Sequence, residues 1–169
     1  MLLKLATGAS ALYSSAMEAA TVVSIFIGPE PEKPMHEVSE VEAVAGAGLV
    51  GDRYYQGDVP EDERDPTDEV TLIASEGIAA AASESGLAIS PADIRRNIVT
   101  RGVEPAELLG RRFWIGEVEL EGLEDNPPCA HLQRIAGKPL LKPMMGRGGI
   151  RAYIVSGGTI RSGDSLRIA

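Results

Sequence analysis

Three features of the 169-residue chain predict a mainly β fold of mixed α+β character, a β-barrel with peripheral helices. Short apolar, β-branched runs recur, such as ATVVSIFIG at Ala20–Gly28 and EVTLIA at Glu69–Ala74. Nineteen glycines and eleven prolines punctuate them with turns. Candidate strands outnumber candidate helices, which favours a closed sheet with helices at its edge. The length suits one domain over residues 21–169, behind an N-terminal extension or loose helix over residues 1–20.

The elements follow in order. Ala20–Gly28 reads as a buried strand ended by Gly28-Pro29, and Glu30–Met35 as a proline-rich turn. HEVSEVEAVAG alternates imperfectly at Val38, Val41 and Val44, as a strand does. GAGLVGDRYYQGD, with four glycines in thirteen residues, is a structured loop. PEDERDPTDE is acidic and nearly without apolar side chains, so a solvated, mobile loop is expected. A strand at EVTLIA precedes an alanine-rich helix, with Ser75 as N-cap and Gly86 at its far end. Ser90-Pro91 starts a further helical turn before the β-leaning NIVTRG. Phe113, Ile115, Val118 and Leu120 suggest one strand with a glycine bulge at Gly116. HLQRIAGKPLLKPMMG is helical in part, and the C-terminal stretch reads as strand, Gly-Gly turn, strand, Gly-Asp turn, strand.

Composition narrows the function classes. The apolar fraction of 44% and charged fraction of 24% are those of a soluble globular protein. A net charge of −9 argues against nucleic-acid binding by bulk electrostatics. No run approaches the roughly 18 apolar residues of a membrane span, and the single Lys4 makes a poor signal-peptide start. One cysteine excludes an intrachain disulfide and fits a reducing, cytoplasmic setting. Charge is uneven: Glu37–Glu76 holds twelve acidic and two basic residues, Arg134–Arg167 seven basic and one acidic. The two readings are oppositely charged solvated faces, or a basic C-terminal third that meets an anionic ligand.

The candidate chemistry starts at Cys129, directly behind Pro127-Pro128 and two residues before His131. Each proline fixes its own φ and restricts its predecessor, a stiff scaffold for a thiol that only fills space. An ordinary loop or core cysteine is the plain alternative. A Cys–His hydrolase would draw on His36 or His131, and one cysteine with two distant histidines lacks zinc-ligand spacing. In GLVGDRYYQGD, Gly51 can adopt φ > 0, Asp52 can orient Arg53, and Arg53 can grip a phosphate. The alternative is a glycine turn with a local salt bridge. In DIRRNIVTRG, Arg95 and its neighbours flank Asn97, whose donors and acceptors suit a polar heterocycle. Arg147 and Arg151 sit beside a glycine-rich turn, a composition for anion capture or simply for strand turns.

Taken in order, GLVGDRYYQGD, EVTLIASEGI, RRNIVTRG, LLGRRFWIGEVELEGLEDNPPC and GRGGIRAYIVSGGTIRSGDSLRI resemble the MOSC domain, named from the C-terminal domain of molybdenum cofactor sulfurase. The resemblance spans roughly Val22 to Ile168. It implies a barrel related to that of pyruvate kinase. It implies that Cys129 is the family cysteine, which carries sulfur as a persulfide or ligates molybdenum. In the amidoxime-reducing members an Arg and an Asn of R-x-N type help hold the pterin, which maps onto Arg95 and Asn97. The family's Gly-Asp-Arg maps onto Gly51, Asp52 and Arg53. Tyr54 stands where many members show His.

The resemblance thus implies a molybdopterin-type molybdenum cofactor. Its phosphate would lie against Arg53, Arg95 and the Arg147–Arg151 loop, and N-hydroxylated compounds would be reduced. Neither a pyridoxal-phosphate desulfurase domain nor an electron-transfer module lies in these residues. A cysteine desulfurase, or a flavin or iron–sulfur electron donor, is therefore the expected partner. Two alternatives stand beside this: a persulfide carrier without metal, and a non-catalytic module that binds an anion or an acidic protein.

Overall fold

The computed structural model describes residues 19–169, so the extension or loose helix expected over residues 1–20 lies outside the described residues except for its last two. β1 (Thr21–Ile27) forms as expected. The His36–Gly46 run divides at Ser39 into β2 (His36–Val38) and β3 (Glu40–Val44). β2 stays antiparallel on β1, while β3 leaves to pair with β4 (Gly48–Leu49). β5 (Val70–Ala74) and β6 (Ile98–Arg101) are parallel, joined through α1 (Ser75–Ser85) and α2 (Pro91–Ile94). Ala74 rather than Ser75 holds the N-cap position of α1, and Gly86 closes the helix at φ 72°.

The expected single bulged strand is instead a hairpin of β7 (Arg112–Ile115) and β8 (Val118–Asp125), with Ile115 opposite Val118. Gly116 at φ 56° opens its two-residue loop, where a glycine lets the chain reverse in register with the strand twist. After α3 (Ala130–Ala136) come β9 (Ile150–Ser156), β10 (Gly158–Arg161) and β11 (Leu166–Ile168). The acidic stretch is not a loose loop. It folds into two 3-10 turns, and the Arg64 guanidinium pins it by donating to the carbonyls of Val59, Gly46 and Gly57.

Eight strands form one sheet in the order β11-β7-β8-β9-β5-β6-β1-β2, and β10-β3-β4 form a second. The strands therefore do not close into one continuous barrel. The open seam is narrowed where β1 meets the turn before β11: the Val22 N–H donates to the Asp164 carbonyl, and the Gly163 N–H to the Val22 carbonyl. Between the sheets lies a core of Val41, Leu49, Leu72, Ile98, Phe113, Ile115, Leu120, Ile154 and Ile160. A second core, with Ile73, Ile78, Ile94, Val99, Leu132 and Met144, lies under the helices. Successive residues of β5 and β6 thus enter opposite cores, as expected of a parallel pair covered on both faces. Among the described residues no helix is long and apolar enough to cross a membrane.

This topology places one row of residues across four strands and the approach to β6. Arg151 of β9 stands opposite Thr71 of β5 and Glu124 of β8. Asn97 lies beside Thr71, one residue before β6, and its carbonyl accepts the Phe26 N–H of β1. The chain segments that leave this row carry the candidate residues.

Candidate functional site

A cleft of about 400 Å³ opens over that row. Its lining includes Asp52, Arg53, Arg95, Asn97, Cys129 and Arg151, all singled out from the sequence, together with Tyr54, Thr71, Arg96, Asn126 and His131.

Asp52 and Asn97 build the floor. The buried Asp52 carboxylate accepts the Gly28 N–H at 2.8 Å and the Tyr54 N–H at 3.2 Å. It makes no salt bridge with Arg53, so its expected task of orienting that arginine is replaced by holding backbone. Asn97 is consumed by the fold. Its Oδ1 accepts from the Thr71 N–H and hydroxyl, and its Nδ2 donates to the Phe26 carbonyl and to Asp52. An amide has two donors and two acceptor lone pairs, and all four are engaged. Asn97 therefore shapes the cleft and has no group left with which to read a heterocycle. Gly51, at φ 91°, makes the turn that carries Asp52 and Arg53 inward and is not itself in the lining.

Arg53 and Arg95 form the wall. The Arg53 Nη1 sits against the Gly28 carbonyl and the Met35 sulfur, an approach open only because residue 28 has no Cβ. Its guanidinium stacks on the Tyr54 ring, 4.5 Å from the centroid. Arg95 ends α2 in the left-handed region at φ 60°, one of two non-glycine residues so placed among those described. Such a conformation costs a side-chain-bearing residue and gathers at functional sites. The Arg95 Nη1 donates to the Lys33 carbonyl, while its Nη2 is buried with no partner. Burial, and next the Arg53 charge, hold the Arg95 guanidinium below its ordinary pKa. Among the described residues neither arginine has a carboxylate in salt-bridge contact. Two adjacent cations, neither in salt-bridge contact with a carboxylate among the described residues, make this wall a place for an anion.

Cys129 stands at the mouth, exposed, as the N-cap of α3, and its Sγ accepts the Leu132 N–H at 3.4 Å. His131 is not its partner. Its Nδ1 meets the Arg134 Nη2 at 3.0 Å and its Nε2 lies 3.8 Å from Glu32, so it belongs to an exposed cluster on the rim. His36, on β2, is not in the lining. Among the described residues no group of three His, Cys, Asp or Glu side chains is arranged to hold a metal ion.

Arg151 faces the cleft but is engaged with the Thr67 carbonyl and lies 3.6 Å from both Asp68 and Glu124. Burial pushes the nearby Asp68 carboxyl above its usual range, and the Asp65 charge adds to this. Arg147 needs correction. Expected beside the anion, it points away, paired with Glu84 at 2.8 Å and lining a separate hollow with Gly77 and Asp125. The turn glycines that follow it matter more: a Cβ at Gly148 would overlap the Asn126 carbonyl of the cysteine loop.

Arg96 is the residue that sequence reasoning passed over. Its buried guanidinium donates to the carbonyls of Gly148 (2.8 Å), Asn126 (2.9 Å), Ile94 (3.1 Å) and Pro127 (3.4 Å). The only sequence signal was its place inside RRN, where nothing distinguishes an inward from an outward arginine.

A mixed β domain with a cationic cleft and one exposed sulfur at its mouth is the class these features define. Residues 61–167 match the MOSC domain model, and the chain belongs to the MOSC domain family, which is associated with molybdenum-cofactor binding. The match begins after Asp52 and Arg53, which the fold nonetheless brings to the same cleft. The YuaD protein (APC1665) from Bacillus subtilis is similar in structure, with TM-score 0.74 and 16% identity over 89% of this chain and 95% of that one. YiiM from Geobacillus stearothermophilus has TM-score 0.68 and 17% identity, over 89% and 75% of the two chains. YiiM from Escherichia coli gives 0.64 and 18%, over 88% and 69%. At these identities the likeness is one of fold. No curated protein matches the chain in sequence.

Proposed function

We propose that this protein binds a molybdopterin-type molybdenum cofactor in the cleft and uses Cys129 as molybdenum ligand or sulfur carrier. The observation that supports this most directly is the pair Arg53 and Arg95, without a salt bridge among the described residues, with the Arg95 Nη2 buried and unpartnered. The residues fit such a group on three counts. A phosphate would take up the orphaned guanidinium donors. A volume of about 400 Å³ lies in the range of small-molecule sites. The exposed Cys129 offers a soft sulfur ligand suited to this metal.

When bound, the cofactor supplies two-electron transfer at molybdenum. The chain's own part is to hold the anionic end on Arg53 and Arg95, to shape the cavity through Asp52 and Asn97, and to present Cys129. Reduction of an N-hydroxylated compound takes two electrons and two protons, breaks the N–O bond and releases water. The electrons would come from a separate flavin or iron–sulfur protein. The exposure of Cys129 also supports a second reading, in which a cysteine desulfurase loads it with a persulfide. A reducing, cytoplasmic compartment suits either use of a free thiol.

Reconstitution with the cofactor tests the first reading. Wild type is expected to retain molybdenum and reduce an N-hydroxylated substrate, whereas Cys129→Ala retains less metal and loses the activity. Equal metal content and activity in both would remove Cys129 from the chemistry. Mass spectrometry after incubation with a desulfurase and cysteine tests the second, by a single-sulfur adduct on Cys129.

A further inference from the structure

We propose that Arg96 is the positioning residue of Cys129: its guanidinium braces the double-proline loop and adds a positive charge to the cleft lining that carries the sulfur. The bracing is geometric. Asn126 and Pro127, whose carbonyls Arg96 holds, immediately precede Pro128 and Cys129. The prolines fix their own φ, so securing those two carbonyls secures the path to the sulfur. The same guanidinium reaches the Gly148 carbonyl, so one side chain ties the start of β6 to the cysteine loop and the turn before β9.

The charge argument is separate. All the hydrogen-bond partners of Arg96 are neutral carbonyls, and it has no salt bridge among the described residues. A buried cation without a bonded counter-ion is expensive. Burial, and next the Arg151 charge, lower its pKa to about 10, while Cys129 and Asp125 act in the opposite direction. At neutral pH it remains cationic. Arg96 and Cys129 line the same cleft, so this unpaired charge raises the positive potential at the mouth where the sulfur stands.

The proposal rests on Cys129 being the reacting group, but not on the cofactor. Its test uses the full chain without cofactor. Cys129 is the chain's one thiol, so alkylation reads it alone. Rates are measured with iodoacetate, an anion, and with iodoacetamide, its neutral near-isostere, on variants whose fold is checked by circular dichroism and melting. Wild type is expected to favour the anion about tenfold more than an Asn-Pro-Pro-Cys-Ala-His peptide does. An equal preference in protein and peptide overturns the charge claim without any variant.

Arg96→Gln is expected to lower that preference about threefold, Arg53 and Arg95 keeping the rest, and a folded Arg96→Gln with the wild-type ratio overturns the claim. Arg53 and Arg95 are unchanged in every variant, so the change in ratio reads Arg96. Arg96→Lys keeps the charge and therefore the preference, to within about twofold, yet an ammonium cannot span carbonyls on three segments. Hydrogen exchange over residues 126–132 is then expected to quicken about tenfold. Unchanged exchange overturns the bracing, and a lost preference overturns the charge. Failure of cofactor binding would leave these ratios intact, and an unchanged ratio would leave the cofactor reading intact.

Discussion

On the floor of the cleft, Asp52, Asn97, Thr71 and Arg96 hold hydrogen-bond partners inside the chain. On its wall, Arg53 and Arg95 have no carboxylate partner among the described residues, and one Arg95 nitrogen is buried with no partner at all. Arg95 and Arg96 are consecutive, yet they fall on opposite sides of this division. The difference teaches how to separate scaffold from ligand-binding surface. A buried polar group whose valences are filled by the fold maintains shape, and one left unfilled beside a like charge awaits something from outside. Substitutions on the floor should therefore cost stability, and substitutions on the wall should cost binding.

The hardest strain on this division comes from Gly148→Ala. The new Cβ would overlap the Asn126 carbonyl, with the Pro127 backbone close behind, and backbone cannot swing aside. A loss of about 4 kcal/mol in chemical denaturation is expected, since the clash displaces a braced loop. A loss under about 1 kcal/mol would show that the loop yields easily and that Arg96 holds little. Next is Asp52→Ala, which leaves the Gly28 and Tyr54 N–H groups and one N–H of the Asn97 amide without their acceptor. About 3 kcal/mol is expected, the penalty of several buried donors left unmade. Near-neutral stability would move Asp52 from the floor to the wall.

Much of the fold was legible because periodicity and glycine punctuation report it directly. The β1, β5 and β9–β11 segments fell where β-branched runs and turn pairs put them. The Gly116 hairpin was misread as a bulge because a glycine inside an apolar run signals either, and only pairing decides. The acidic stretch looked mobile because composition does not show one arginine gathering three carbonyls. At the site, residue type identified Arg53, Arg95 and Cys129, but not the direction in which a side chain faces. Arg147 points to Glu84, Arg96 turns inward, and Asn97 spends its amide on the fold. These are facts of tertiary packing that no local pattern encodes.

Arg95→Gly is the finest test of the division, because the floor and wall descriptions forecast opposite outcomes for it. Arg95 sits at φ 60°, where glycine is at ease and arginine is strained. Removing the side chain relieves that strain and deletes a cation crowded by Arg53. It also loses the bond to the Lys33 carbonyl and adds freedom to the unfolded chain. These contributions nearly cancel, so stability by denaturation is expected to stay within about 1 kcal/mol of wild type. Affinity for inorganic pyrophosphate, followed by thermal shift, is expected to fall about tenfold, as for loss of one charge-assisted contact. If the variant instead loses more than about 2 kcal/mol, Arg95 belongs to the scaffold. If its pyrophosphate affinity is unchanged, the unpaired nitrogen is not what the wall offers an anion.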